Sequence, residues 1–131
     1  MFYGPVPEGT LNVSEADARL LGVAGDRAGF AVTAGEFDGD GDIAVGAPEN
    51  DSAAEDVGAV YLLLSNETER SGTANLLAEA DAILTGVGEG DMVGFPVASL
   101  PVTEADSDSD DGTGAAADVD ALLVGAPRND N

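Results

Sequence analysis

The chain contains no cysteine, no histidine, no tryptophan and no lysine; its only bases are Arg19, Arg27, Arg70 and Arg128. Without cysteine there is neither a disulfide nor a thiolate metal site. Without histidine the commonest general base and the commonest transition-metal ligand are gone. Four arginines are too few to neutralise a run of phosphates, so nucleic acid is disfavoured as a partner. No apolar run approaches the roughly 20 residues that a membrane helix needs. The opening MFYGPVPEGT lacks the basic start and apolar core of a signal peptide. The motifs GxSxG and HExxH and the phosphate-binding P-loop are absent too.

What is abundant is negative charge: 26 acids set a net charge of −22 over 131 residues. An acidic disordered chain is one reading, but short runs of Val, Leu and Ile bounded by turn residues argue for a folded domain with an acidic surface. Such a surface repels itself at low salt. At molar salt the screening length falls to roughly 3 Å and the repulsion is largely removed. In this balance the chain resembles proteins of salt-loving archaea.

The chain also repeats itself. VGAP occurs at Val45 to Pro48 and again at Val124 to Pro127, each preceded by a GF pair (Gly29-Phe30 and Gly94-Phe95) and an EADA (Glu15 to Ala18 and Glu79 to Ala82). The GF pairs lie 65 residues apart and the EADA copies 64, whereas the GAP copies lie 79 apart. The second copy therefore holds a 14-residue excess between GF and GAP. It falls on the acidic, small-residue segment 104–118 (EADSDSDDGTGAAAD), which reads as a loop inserted between two strands.

Strand signals are short and evenly spaced, over residues 30–33, 43–45, 60–64, 82–84, 95–100 and 122–124. The one helix candidate is 76–84, and its counterpart 13–21 shares the EADA core, so both should take one conformation. An all-β fold follows, as a sandwich, a barrel or a propeller. The repeat favours a propeller built of four-stranded antiparallel blades. In VGAP, Gly46 and Ala47 suit close backbone approach, and Pro48 ends the ladder because it has no N–H. Phe30 and Phe95 suit packing between blades. GAP as a turn of an ordinary sandwich is the plainer alternative.

The order GF, acidic Gly-rich loop, hydrophobic strand, VGAP, then Gly58-Ala59-Val60-Tyr61 resembles the FG-GAP repeat of integrin alpha-subunit propellers and their prokaryotic relatives. The first copy carries all of it; the second carries Gly94-Phe95 and ALLVGAP (residues 121–127). The start at Phe2-Tyr3-Gly4-Pro5-Val6 resembles the tail of such a strand. The resemblance implies a partial propeller: 1–22 the end of one blade, 23–86 a full blade, and 87–131 an incomplete blade. The chain is then expected to be a fragment of a longer protein, completed by the remaining blades of a larger ring.

The same resemblance implies a non-catalytic adhesion or binding module, extracellular or at the cell surface, whose loops engage a protein or glycan ligand. Similar propellers also sit beside hydrolase domains. The alternative function is thus an accessory propeller of a secreted hydrolase, with its catalytic residues outside this chain.

Calcium takes six to eight hard oxygen ligands, and acids alternating along a Gly-bearing loop supply them. Residues 36–42 (EFDGDGD) alternate in this way. The family binds calcium in this loop, and by that resemblance Glu36, Asp38 and Asp40 match its first, third and fifth positions. The loop is two residues shorter than the family's, so Asp42 falls at the seventh position yet abuts the strand as the ninth should. In the second copy Pro101 occupies the slot of Glu36, and the acids come later, at Asp106, Asp108 and Asp110. An EF-hand counted from Asp38 is excluded: Ile43 stands where glycine is required and no helix flanks the loop. No pair of acids stands out for glycosidase chemistry. Sequons at Asn12, Asn50 and Asn66 are expected on surface loops.

Overall fold

The computed structural model describes residues 1–38, 41–65, 70–102 and 119–129. The expected all-β class is found. Among the described residues eight strands form: β1 (Ala18–Leu21), β2 (Ala31–Gly35), β3 (Asp42–Ala47), β4 (Ala59–Leu63), β5 (Gly72–Asn75), β6 (Ala82–Thr85), β7 (Val97–Pro101) and β8 (Asp120–Val124). One four-residue helix, α1 (Leu76–Glu79), and one 3-10 turn (Val13–Glu15) complete the described elements.

At the centre is a four-stranded antiparallel sheet in the order β2-β3-β4-β6. Its two inner strands are buried almost throughout, so they read as continuous apolar runs. One face of this sheet carries Val45, Ala47, Ala59, Tyr61 and Leu63, closed by Leu76 and flanked by Leu20, Ala28 and Ala80. The other face carries Ala44 and Val60 and packs on Val93, Val97, Leu122 and Val124. The second face therefore lies against a further antiparallel hairpin, β7-β8. Strand alternation makes this possible, since neighbouring residues along a strand point to opposite faces.

Each VGAP closes the second strand of its hairpin, and the registers match. Val32 pairs with Val45 in the first copy, and Val97 with Val124 in the second. β3 ends at Ala47, just before Pro48, as the missing N–H dictates. The acidic segment 104–118 falls between β7 and β8 in the chain and lies outside the described residues.

The two EADA segments do share one conformation, but it is not one long helix. In each an asparagine, Asn12 or Asn75, accepts a hydrogen bond from the main chain two residues on and starts a single turn. The C-cap alanines, Ala16 and Ala80, are already extended, and the strands β1 and β6 follow. In both, the aspartate accepts from the main chain of the neighbouring segment: Asp17 from Tyr3 N–H and Asp81 from Leu64 N–H, just past β4. By this equivalence residues 1–3 lie beside β1 as the end of β4 lies beside β6. Met1 and Ala18 exchange main-chain hydrogen bonds there.

The sequence reading did not anticipate β5. It pairs in parallel with β1, from Ala18↔Gly72 to Leu21↔Asn75. The connection from β4 to β6 thus reaches across and extends the sheet element that precedes the central one. Arg19 on β1 donates to Thr73 on β5 at 2.8 Å.

Candidate functional site

The most constrained feature is the corner that leads into each hairpin, and it occurs twice. Its sequence is Gly-Asp-x-x-Gly-Phe, at Gly25 to Phe30 and at Gly90 to Phe95. In both copies the first glycine, the residue after the aspartate and the second glycine have positive φ: 96°, 52° and 89° at Gly25, Arg27 and Gly29, and 78°, 55° and 88° at Gly90, Met92 and Gly94. Glycine suits two of the three positions because they lie in the left-handed region.

The aspartates hold these corners. Asp26 is 5% exposed and accepts from Val23 N–H and Ala28 N–H, at 2.8 and 2.9 Å. Asp91 is 3% exposed and accepts from Val87 N–H and Gly88 N–H, at 3.1 and 2.8 Å. The hydrogen bond from Gly88 lowers the Asp91 pKa below its ordinary value; burial opposes this, and bonds from Val87 and the Asn129 side chain reinforce it.

Each corner then docks on its own VGAP. Gly29 N–H donates to Gly46 C=O, and Gly94 N–H to Gly125 C=O, both at 3.0 Å. Between the two hairpins the approach is closer still. A methyl group on Gly46 would stand 2.1 Å from the Gly94 carbonyl oxygen, and one on Gly94 2.5 Å from the Ala59 carbonyl oxygen. The close backbone approach expected of Gly46 is therefore made, and its partner is the second GF corner. Phe30 and Phe95 stack with ring centroids 4.8 Å apart. Thr33 and Ser99 join β2 to β7 through their hydroxyls at 3.2 Å, and Ser99 N–H donates to Thr33 Oγ1 at 3.1 Å.

The carboxylates expected to bind calcium are placed as follows. Asp42 is 1% exposed, and its carboxylate accepts from Phe37 N–H (2.6 Å), Asp38 N–H (3.1 Å) and Ser65 N–H (2.8 Å). It ties the hairpin loop to the end of β4. Glu36 and Asp38 are exposed. The Glu36 main chain is bound in both directions to Asp120 at the start of β8, N–H to carboxylate at 3.1 Å and C=O from N–H at 2.9 Å. Asp40, Asp106, Asp108 and Asp110 lie outside the described residues. Among the described residues no group of three or more acids is arranged to hold a metal ion.

Of the three sequons, Asn12 is exposed and caps the 3-10 turn, while Asn66 lies outside the described residues. Asn50 corrects the expectation of a surface site. It is 4% exposed, its Nδ2 donates to Tyr61 Oη at 3.0 Å, and its Oδ1 accepts from Ser52 N–H. Burial raises the Tyr61 pKa, with a smaller push from the Asp26 carboxylate. Among the described residues no buried side-chain nitrogen or oxygen lacks a hydrogen-bond partner.

The corner-holding residues that the sequence reading does not single out are Asp26, Asp91 and Asn129, and Asn50 it reads only as a sequon. Their signal was present, since the GF pair extends to GDxxGF and VGAP to GAPxND in both copies. Among the described residues, no helix is long and apolar enough to cross a membrane. A scan of the chain against protein-family models finds no match, and no curated protein matches it.

Proposed function

We propose that the chain is part of a β-propeller of the FG-GAP type, serving as a non-catalytic binding or adhesion module outside the cell. One observation carries the reading. Two repeat-equivalent hairpins, each entered through the same aspartate-held corner, stack face to face through Gly46, Gly94 and the Phe30–Phe95 pair. Successive sheets related in this way are what a propeller places around its axis. The central four-stranded antiparallel sheet has the form of one blade, with β7-β8 beginning the next.

The binding half of the reading is supported by what the residues offer. The buried aspartates serve main-chain N–H groups, and the other described acids are at least partly exposed. Such a scaffold presents loops to a partner. Surface plasmon resonance with the immobilised chain, against extracellular glycans and polypeptides in molar KCl, tests it. Glycoside and ester hydrolysis are assayed on the same sample. Saturable binding without turnover is expected; turnover, or no saturable binding across the panel, overturns the reading.

The proposal extends to calcium at the hairpin loop 36–42, supported by the alternation of acids there, with Asp42 as the loop's anchor. Calorimetric titration with calcium in molar KCl should give binding heat and a higher Tm. Neither would appear if the loop is only a solvated acidic turn.

A further inference from the structure

Two Asn-x-Ser triplets share one local geometry and stand in opposite surroundings. In Asn12-Val13-Ser14 the Asn12 side-chain oxygen accepts from Ser14 N–H, and in Asn50-Asp51-Ser52 that of Asn50 accepts from Ser52 N–H, both at 3.0 Å. Each carboxamide thus folds back onto the main chain of the serine that completes its triplet, as asparagine does in such turns. The nitrogens differ. Asn50 Nδ2 donates to Tyr61 Oη at 3.0 Å, between residues that are 4% and 1% exposed. Asn12, Val13 and Ser14 are all exposed, and among the described residues no hydrogen bond occupies Asn12 Nδ2.

The second copy shows that this exposure belongs to the turn. Asn75 starts the equivalent turn, its side-chain oxygen accepting from Leu77 N–H at 2.9 Å. Asn75 ends β5, which is fully paired with β1, and it is exposed all the same. The position therefore faces solvent where the neighbouring strand pairing is complete. Counting from the asparagine, Leu77 stands where Ser14 does, so Asn75 lacks the hydroxyl of an acceptor triplet.

We infer that Asn12 is an acceptor for asparagine-linked sugar and that Asn50 is not. This rests on the extracellular reading given above, because such triplets are acceptors in secreted proteins. In the transfer, Asn12 Nδ2 attacks the anomeric carbon of a phosphate-activated sugar. The N–C bond forms, the C–O bond to phosphate breaks with its electron pair leaving on the phosphate, and one Nδ2 proton passes to a base of the transferring enzyme. The bonds that hold the turn survive this, since they use Asn12 Oδ1 and the Asn12 main-chain N–H, which donates to the Glu15 carboxylate at 2.7 Å. At Asn50 a sugar would have to displace the Tyr61 contact or the loop that covers it, and either change leaves buried polar groups without partners.

The test sends the whole chain, behind a secretion leader, through a host that performs asparagine-linked glycosylation. The folded product is mapped by peptide mass spectrometry. The Asn12 peptide should carry sugar and the Asn50 peptide should not. Ser14→Ala should abolish the modification with β-sheet circular dichroism unchanged, because the turn is closed by the main-chain N–H of residue 14, which alanine keeps. Leu77→Thr completes a triplet at Asn75, on a residue that is 54% exposed, and should add a further modified peptide.

An unmodified Asn12 overturns the inference, most directly if Asn75 is modified in Leu77→Thr, since the host then accepts this turn. Sugar at Asn50 in a chain with native circular dichroism overturns it as well. The same mapping on protein isolated from its own cells separates the two readings. Sugar at Asn12 in the host product with none in the native protein leaves the acceptor assignment standing and overturns the extracellular location.

Discussion

Asp26 and Asp91 show how little side chain is needed to hold a tight corner when the backbone does the rest. Each places one carboxylate on two main-chain N–H groups that no strand partner would satisfy. Asp26→Ala should destabilise the fold by about 1–3 kcal/mol, since both donors lose their acceptor; urea unfolding in molar KCl measures it. Asp91 also makes stability depend on pH. Its pKa is lowered by folding, so its contribution is fully present above the unfolded carboxylate value of about 3.9 and is lost as pH falls through the folded value. An acid titration of Tm should show a loss below about pH 4 that is smaller in Asp91→Asn. Tyr61 acts at the other end. Its raised pKa gives a contribution present below about pH 10 and lost as pH rises through the folded value, which Tyr61→Phe should remove. At Gly46 the constraint is space: a methyl would meet the Gly94 carbonyl at 2.1 Å. Gly46→Ala should cost about 1–3 kcal/mol through forced separation of the two hairpins. Gly94→Ala adds left-handed strain to the clash with Ala59.

Among the elements, the strands with strong alternation or long apolar runs were legible in the sequence, and the others were not. Residues 60–64 and 43–45 announced β4 and β3 because both strands are buried on both faces. β5 was not legible: Gly-Thr-Ala-Asn has the composition of a turn, and its strand form comes from pairing with β1, far earlier in the chain. The 76–84 segment looked helical because Leu, Ala and Glu favour helix, but the turn ends at Ala80. From there Asp81 N–H is taken by the Leu62 carbonyl at 2.9 Å and the chain becomes the edge of the central sheet. Tertiary pairing overrides propensity over so short a run. Asn75 starts that turn, and Asn75→Ala should cost about 0.5–2 kcal/mol by loss of the cap, read as a lowered urea midpoint.

For the whole molecule, charge sets the conditions under which any of this holds. The described ion pairs are few and at least partly exposed, Arg27–Glu49 at 2.9 Å and Arg70–Asp81 at 3.8 Å, and pairs of that kind contribute about 0–1 kcal/mol. They do not offset the self-repulsion of a net charge of −22. Thermal unfolding followed from low to molar KCl should show Tm rising, by about 4 °C for each kcal/mol of repulsion screened. A flat profile would remove the salt-adapted reading. The acidic loops drew attention in the sequence because alternating acids look like a ligand set, while in the fold Asp42 turns inward to anchor the loop. What the sequence obscured was that burial, not charge, separates structural aspartates from solvated ones. The hairpins carry a last consequence. Gly35↔Asp42 and the equivalent Leu100↔Ala121 are the same rung of the ladder, yet the chain between the second pair is 14 residues longer. The rungs below it, down to Val97↔Val124, keep the spacing of their counterparts. By that register the hairpin tip is a splice port: foreign sequence inserted between β2 and β3 should leave the pairing beneath unchanged, read as an unaltered β-sheet circular dichroism spectrum.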